Sequence, residues 1–442
     1  MIDWESVYNL ETYMEEIGLY EQAKGKKLLI IGGETNIANI VNEAKKMGVY
    51  TIVTERDGGT PLPAKLIADE AWDVDYTDMD TLSRMCREAG VSGVMSGYSE
   101  GKVLCAAKLA QRIGTPFYVT PEQVEITRDK RSFKDLCVKY DVPVPKEYCS
   151  TGKMTEAEKE QVEYPVIVKP ADYGGRIGIS VCRNREELDL AVEKAEKSSI
   201  TGTVVVEEYV SGTELIAIYT LSGGEISLSI INEKHLSREG NLYACLCDVA
   251  MTPSKYYNMY VETVDAKIRD FLKGIGMKDG LAGFQFIANE EKITAFETGL
   301  RLNGGNDWKL LEACNGINHL KMMINHSLTG DMGDSLSKDN PVFDEYMCTY
   351  VMYAHGGEVG EFSYAGLEDC KEIIDISPYA KVGKLVPDRG TTQQRVISFK
   401  IRAAGLREVE ETIRLIQEKV IVNDVNGNNM LFASFDTARL YQ

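Results

Sequence analysis

At 442 residues, with 44% hydrophobic and 26% charged residues, the chain has the makeup of a folded protein of two to four domains with a substantial core. A formal net charge of −19 excludes a broad nucleic-acid or anionic-membrane surface, which needs clustered Lys and Arg. A small anion in a locally basic pocket stays compatible with that charge.

Residues 1–24 read as an acidic helical arm with Val7, Leu10, Met14, Ile17 and Leu19 on one face, packed on the body or on a second subunit. The acidic start Met1-Ile2-Asp3-Trp4-Glu5 is unlike a signal peptide, and no apolar run is long enough to span a bilayer. Ten cysteines, scattered without a CxxC and closest at Cys245 and Cys247, fit a reducing compartment. The expectation is a cytoplasmic protein without membrane or nucleic-acid partners.

From Lys27 strands and helices alternate. Leu28–Ile31 is a buried strand, Gly32-Gly33 turns the chain, and the next helix buries Ile37, Ile40, Val41, Ala44 and Met47 before Gly48. Tyr50–Val53 and Val94–Ser96 are further strands of a parallel, Rossmann-like α/β sheet occupying residues 25–118. A dinucleotide site is not expected, because GxGxxG is incomplete and Glu34 sits where phosphate would lie. Gly33, Glu34, Tyr98 and Glu100 lie in strand-end loops as secondary substrate-site candidates. Residues 119–330 form a second unit, with a lid at about 148–206. Residues 331–442 form a small α+β unit whose helix Leu406–Val420 buries Val409, Ile413, Ile416 and Val420.

The second unit carries the chemistry. Thr127-Arg128-Asp129-Lys130-Arg131 opens a helix with Phe133, Leu136 and Cys137 buried, and Val142-Pro143-Val144-Pro145 follows. Such basic residues at a helix start suit phosphate, although a surface charge cluster is the ordinary explanation. Val166-Ile167-Val168-Lys169-Pro170 closes a strand on a lysine and runs into a glycine loop with Gly174, Gly175 and Gly178, flanked by Arg176. Glycines let backbone N–H groups approach an anion, and this loop is longer than a hairpin needs. Val204-Val205-Val206-Glu207-Glu208-Tyr209-Val210 is a strand ending in acids, and Ser211–Glu214 turns the chain. A free strand edge there suits an adenine rim and a carboxylate beyond it the ribose; a solvated acidic turn is the ordinary alternative.

Leu281–Phe286 and Lys292–Glu297 read as neighbouring strands that aim Gln285 and Glu297 at one point, a donor pair suited to Mg²⁺ sharing its shell with phosphate. Arg301 follows as a planar cation for a charged substrate. His235, expected just after a strand, His319 and His326, expected in one helix from near Trp308, and His355 are read as structural or surface residues.

The order of these features resembles the ATP-grasp superfamily, in its carboxylate–amine ligase and carbamoyl-phosphate-synthetase-like branch, across essentially the whole chain. The resemblance implies a pre-ATP-grasp domain, an ATP-grasp domain with a mobile lid and a carboxy-terminal domain, as in biotin carboxylase. It implies ATP and one or two Mg²⁺, or Mn²⁺ in their place. Lys130 and Lys169 would contact phosphates, with Gly174, Gly175 and Gly178 forming the lid loop. Glu207 and Val210 would meet adenine through the backbone, beside Glu208, and Glu214 would meet the ribose. Gln285 and Glu297 would hold metal, and Arg301 would face the carboxylate or acyl phosphate. The family pattern Glu-x-Asn-x-Arg is broken by Gly299, leaving Asn303 or water to supply the missing oxygen.

The expected reaction is amide or peptide bond formation from small carboxylate and amine substrates, amino acids among them, through an acyl phosphate. Activation of bicarbonate to carboxyphosphate and a catalytically impaired ATP-binding protein are the alternatives. A homodimer is expected by analogy alone.

Overall fold

The computed structural model describes residues 20–59, 62–149, 154–170, 178–237, 246–388 and 392–442. Most of the expected helical arm, together with Gly174, Gly175, Arg176 and Cys245, lies outside the described residues. Among those described, no helix is long and apolar enough to cross a membrane.

Strands β1 (Lys27–Ile31), β2 (Tyr50–Thr54), β3 (Glu70–Trp72) and β4 (Gly93–Ser96) form a parallel sheet in the order β3-β2-β1-β4. Their apolar runs are continuous because both faces are covered, as parallel sheets require. Leu28, Ile30, Val53 and Met95 enter the largest core, whereas Leu29, Ile31, Ile52 and Val94 enter a separate one.

Strands β5 (Glu147–Cys149), β6 (Val166–Pro170), β7 (Ser180–Cys182) and β8 (Val204–Glu208) make a small antiparallel sheet, ordered β5-β8-β6-β7. The helix Arg185–Ser198 covers one face, packing Leu188, Ala191 and Ala195 on Val166, Val168, Val204 and Val206. Alternation therefore sends Lys169 and Glu207 to the opposite face.

The later strands are β9 (Thr213–Ser222), β10 (Glu225–Leu236), β11 (Cys247–Thr252), β12 (Gly280–Ala288), β13 (Ile293–Gly299) and β14 (Tyr346–Tyr353). They are followed by β15 (Gly357–Ser363), β16 (Ile373–Pro378), β17 (Leu385–Val386), β18 (Arg395–Ala403) and β19 (Ile421–Asp424). Eight of these pair as β13-β12-β9-β10-β11-β14-β18-β16, and β17-β15-β19 make a three-stranded sheet. The eight-stranded sheet thus runs on through residue 330, although its β9–β13 end packs in the largest core and β14 and β18 pack in another. The helix Leu406–Lys419 buries Val409, Ile413 and Ile416 in that second core.

Three local features differ from expectation. The turn before β9 is shorter, so Glu214 lies inside that strand. Strand β10 continues to Leu236 and includes His235. The helix from Trp308 ends at Asn315, where Gly316 is left-handed at φ 79°, and the capping side chain of Asn318 starts a second helix, His319–Thr329, that carries His319 and His326.

That second helix packs against β4 so closely that a Cβ on Gly93 would stand 2.0 Å from the Ser327 carbonyl oxygen. Backbone cannot yield as a side chain can. Gly93→Ala is expected to cost about 1–3 kcal/mol, read as a lower thermal unfolding midpoint, whereas Gly101→Ala, in the helix Glu100–Ile113 with only Ser99 Oγ at 3.9 Å, should cost less.

Candidate active site

Strands β12 and β13 form a hairpin in which Gln285 opposes Glu297. The register then shifts, with Phe286 opposite Ala295, so Phe296 is an extra residue on β13. The Ala295 N–H bonds the Pro143 carbonyl at 2.7 Å. Bulges re-aim neighbouring side chains, and this one lies beside the pair expected to hold metal. Phe284 and Phe286 go into the core, leaving Gln285 half-buried and Glu297 exposed on the other face.

Gln285 Nε2 donates to Glu297 Oε2 at 3.0 Å, and Lys234 Nζ donates to Gln285 Oε1 at 2.9 Å. Lys234 also lies 3.9 Å from Glu214, which β9 places on the same face. Among the described residues no group of three or more His, Cys, Asp or Glu side chains could hold a metal by itself. Glu297 suits a Mg²⁺ ion that takes few protein ligands and fills its shell with phosphate and water, and the Gln285 carbonyl oxygen would join it once turned from Lys234. Asn303 points elsewhere: its side-chain amide donates to Asp307, and its carbonyl oxygen accepts from Gly305 N–H at 3.4 Å.

The small sheet supplies the cations. Lys169 on β6 and Lys134 from the helix Lys130–Lys139 both donate to the Glu207 carboxylate, and Lys134 also reaches Glu147 at 3.0 Å. Lys134 was not anticipated, yet it lies one helical turn after Lys130, a spacing that places both on one face. Asp129 caps that helix by accepting from Ser132 N–H at 2.8 Å. Burial, with the ammonium groups of Lys134 and Lys130 nearby, pushes Lys169 down to about 7 against the pull of Glu147 and Glu297. Glu297 is thus near enough to act on the charge of Lys169.

At the hinge, the Tyr209 N–H bonds the Pro165 carbonyl at 3.0 Å and the Glu208 N–H bonds the Lys146 carbonyl at 2.8 Å. The Val210 N–H takes no partner among the described residues. Lys292, in the turn before β13, pairs with Glu208 at 2.6 Å and ties the two sheets together. Gly178, left-handed at φ 78°, lies against Pro170 and Ser198.

The strand-end loops of the parallel sheet approach from the third side. Arg301 Nε donates to Glu100 Oε1 at 2.5 Å. A Cβ at residue 299 would sit 2.9 Å from that same Glu100 oxygen, so Gly299 leaves room for the Glu100–Arg301 pair. Glu34 and Glu55 share Lys102; burial would raise the Glu34 carboxyl, but Lys102 and its backbone bonds hold it below the ordinary value. His319 Nε2 and Thr220 Oγ1 are 2.7 Å apart inside the core, and burial pushes the imidazole down to about 4. His235 is packed against Phe435, and burial likewise takes it down to about 4.

If the cationic crowd depresses Lys169, removing one member must raise it. Lys134→Met is expected to move the pH midpoint for acylation of Lys169 by a small reagent upward from about 7, followed by peptide mass spectrometry. An unmoved midpoint would show that Lys134 does not act on Lys169.

The fold has counterparts of known structure. A family profile described as D-ala D-ala ligase C-terminus matches residues 137–268. The carbamoyl phosphate synthase large chain of Clostridium beijerinckii is 23% identical over 316 residues, 67% of this chain and 28% of the relative. The chain therefore spans little more than a quarter of the length of that relative. Among solved structures, biotin carboxylase from Campylobacter jejuni superposes with a TM-score of 0.75 at 16% identity, covering 94% of this chain and 95% of that one. L-amino acid ligase from Bacillus licheniformis superposes with a TM-score of 0.73 at 17% identity, covering 91% and 99%. At such identities the superpositions show the fold. They give the chain the fold of the ATP-grasp proteins, and the profile match lies within it.

Proposed function

We propose that the protein is an ATP-dependent carboxylate–amine ligase that forms an amide or peptide bond and releases ADP and phosphate. The observation that carries this is the opposition of two charge sets at Lys169. Lys130 and Lys134 act on Lys169 as like charges, and Glu297, hydrogen-bonded to Gln285, acts on it as the opposite one.

A carboxylate is a poor acyl donor because it has no leaving group. Its oxygen attacks the γ-phosphorus, the bond to the β-phosphate oxygen breaks, and an acyl phosphate forms with ADP as the other product. The amine nitrogen then attacks the carbonyl carbon, gives up a proton, and phosphate leaves. The first step brings two anions together, so it needs fixed cations and exclusion of water.

Lys130 and Lys169 hold the phosphates, with Lys134 taking over Glu207 when Lys169 turns to its anion. The backbone of Glu207 and the open Val210 N–H take the adenine rim beside Glu208, and Glu214 takes the ribose hydroxyls. Gly174, Gly175 and Gly178 belong to the lid. Gln285 and Glu297 hold Mg²⁺, or Mn²⁺ in its place, which when bound draws charge from the transferring phosphoryl group. Where a second ion binds, Asn303 must first leave Asp307 to reach it. Arg301 orients the substrate carboxylate once that carboxylate competes with Glu100. These roles fall on proposed domains at 25–118, 119–330 with its lid near 148–206, and 331–442, after an arm at 1–24. A homodimer is proposed by analogy. A reducing cytoplasm is the proposed compartment, supported by the free thiols of the described cysteines.

Release of ADP from Mg-ATP against pools of amino acids, of other carboxylates with amines, and of bicarbonate tests the reading. Turnover that needs a carboxylate and an amine, and falls at least about a hundredfold in Glu297→Ala or Arg301→Ala, is the expected result. Arg301→Ala should still bind ATP; loss of binding together with turnover would remove the role assigned to Arg301. Turnover with bicarbonate alone would move the chemistry to carboxyphosphate.

Nucleotide affinity should also depend on pH through Lys169. Phosphate raises the pKa of a lysine it touches, so in the complex Lys169 keeps its proton to higher pH than the free value of about 7. Below that value both states are protonated and the contribution is complete. Above it, ADP binding takes up a proton and affinity falls until the complex also deprotonates. Calorimetry in buffers of different ionisation enthalpy should show this uptake near pH 8, and Lys169→Met should abolish it.

A further inference from the structure

Behind the Arg301–Glu100 pair lies a group of polar side chains that the proposed chemistry does not use. Arg395, at the start of β18, stacks its guanidinium 4.8 Å from the Tyr379 ring centroid. The Tyr379 hydroxyl bonds Asn36 Oδ1 at 3.1 Å, and the same oxygen lies 3.4 Å from Asn306 Nδ2. The parallel sheet, the loop after β13 and the late strands thus meet at one place.

Arg395 is unusual there. Its Nε is buried without a hydrogen-bond partner, and among the described residues no carboxylate pairs with its guanidinium. Two neighbouring cations are matched, Lys309 by Asp375 at 2.6 Å and Lys400 by Asp307 at 3.7 Å and Thr349 at 2.6 Å, while Lys384 donates to the Tyr379 carbonyl at 2.7 Å. Further polar atoms are left over beside it. Asn306 Oδ1 and Trp308 Nε1 are buried without partners, on residues only 2% and 8% exposed. The buried Tyr98 hydroxyl has the Trp308 and Asn39 side chains turned toward it, without a hydrogen bond of ordinary geometry. Asn306 is held in the left-handed region at φ 58°, where non-glycine residues are uncommon.

In a chain of net charge −19, a half-buried guanidinium without an anion is a costly arrangement unless a ligand completes it. We propose that Arg395, braced on Tyr379, binds the carboxylate of the amine substrate, so that the acceptor is an amino acid and not a simple amine. This rests on the ligase reading. One guanidinium among neutral donors matches a monoanionic carboxylate better than a dianionic phosphate, which calls for several cations. Trp308 Nε1–H and the Tyr98 hydroxyl supply further donors, and Asn306 Oδ1 supplies an acceptor for the ammonium or amine. Tyr98 lies two residues before Glu100, so one loop borders both the Arg301 and the Arg395 positions.

The test measures ligand-induced shifts in melting temperature of the full chain holding a non-hydrolysable Mg-ATP analogue. The probes are single amino acids, the same amino acids as primary amides, and phosphoethanolamine, with ADP release from Mg-ATP measured on the same panel. At least one amino acid should stabilise the wild type while its amide does not. Arg395→Gln should weaken that amino acid about 30- to 100-fold and leave the nucleotide-induced shift intact. Arg395→Lys, which keeps charge but loses the planar fork, guards against misfolding of the first variant and should weaken it about tenfold.

The proposal is overturned if amides bind as well as acids, if no amino acid stabilises the wild type, or if neither variant affects the amino acid. Arg395-dependent binding of phosphoethanolamine alone would overturn it in favour of a phosphate. Arg395-dependent amino acid binding without any ADP release would instead remove the ligase reading and leave this site standing.

Discussion

Side-chain alternation along the β10–β9–β12–β13 ladder is the constraint from which the rest follows. One face carries Tyr219, Leu221, Phe284 and Phe286 into the largest core, so the other face is set for Glu214, Lys234, Gln285 and Glu297. A shift of one residue would exchange the two sets and bury four polar groups in place of aromatic rings. The bulge at Phe296 is the local exception, and it adjusts the Glu297 position without disturbing the aromatic packing. Core and site are therefore two readings of a single register.

The second sheet obeys the same rule on a smaller scale. Its helix-covered face is apolar, and its open face presents Lys169 and Glu207 toward Glu297. The buried Glu207 carboxylate keeps two lysines close together when no phosphate is there to do so. Like charges so near one another would otherwise spread apart, which would lose the local positive potential that a chain of −19 needs to attract an anion. Burial depresses Lys169, and the same crowding adds to it.

The third wall is assembled from distant parts of the chain. Arg301 meets Glu100, and Asn306 and Tyr379 meet Asn36. Arg301 and Asn306 come from the loop after β13, whereas Asn36 and Glu100 come from the first turns of the helices Thr35–Lys46 and Glu100–Ile113 that follow β1 and β4. Gly299 has a steric reason in this wall, because a side chain there would displace the Glu100 oxygen that Arg301 holds. The pattern that looked incomplete as a list of metal ligands makes sense as a condition on packing.

Much of this was legible in the residues. Periodicity marked the parallel sheet, the β12–β13 hairpin and the helix Leu406–Lys419, because apolar spacing is a local property of the chain. Gln285 and Glu297 could be paired for the same reason, since a short turn sets their register. Lys134 left a helical-spacing signal beside Lys130, but nothing local announced its bond to Glu207. Glu214 and His235 were misplaced relative to strand ends, which depend on partners rather than on propensity. The break at Gly316, and with it the position of His319, came from a left-handed turn that the apolar run concealed. Asn303 was bound to Asp307, and Arg395 was brought to Tyr379 and the Asn36 loop, by contacts between segments far apart in the chain. Local order thus determined the elements, their faces and the cation and metal-ligand candidates. Which charges are matched, and which are left waiting for a ligand, was decided only by tertiary packing, because pairing is a property of space and not of sequence separation.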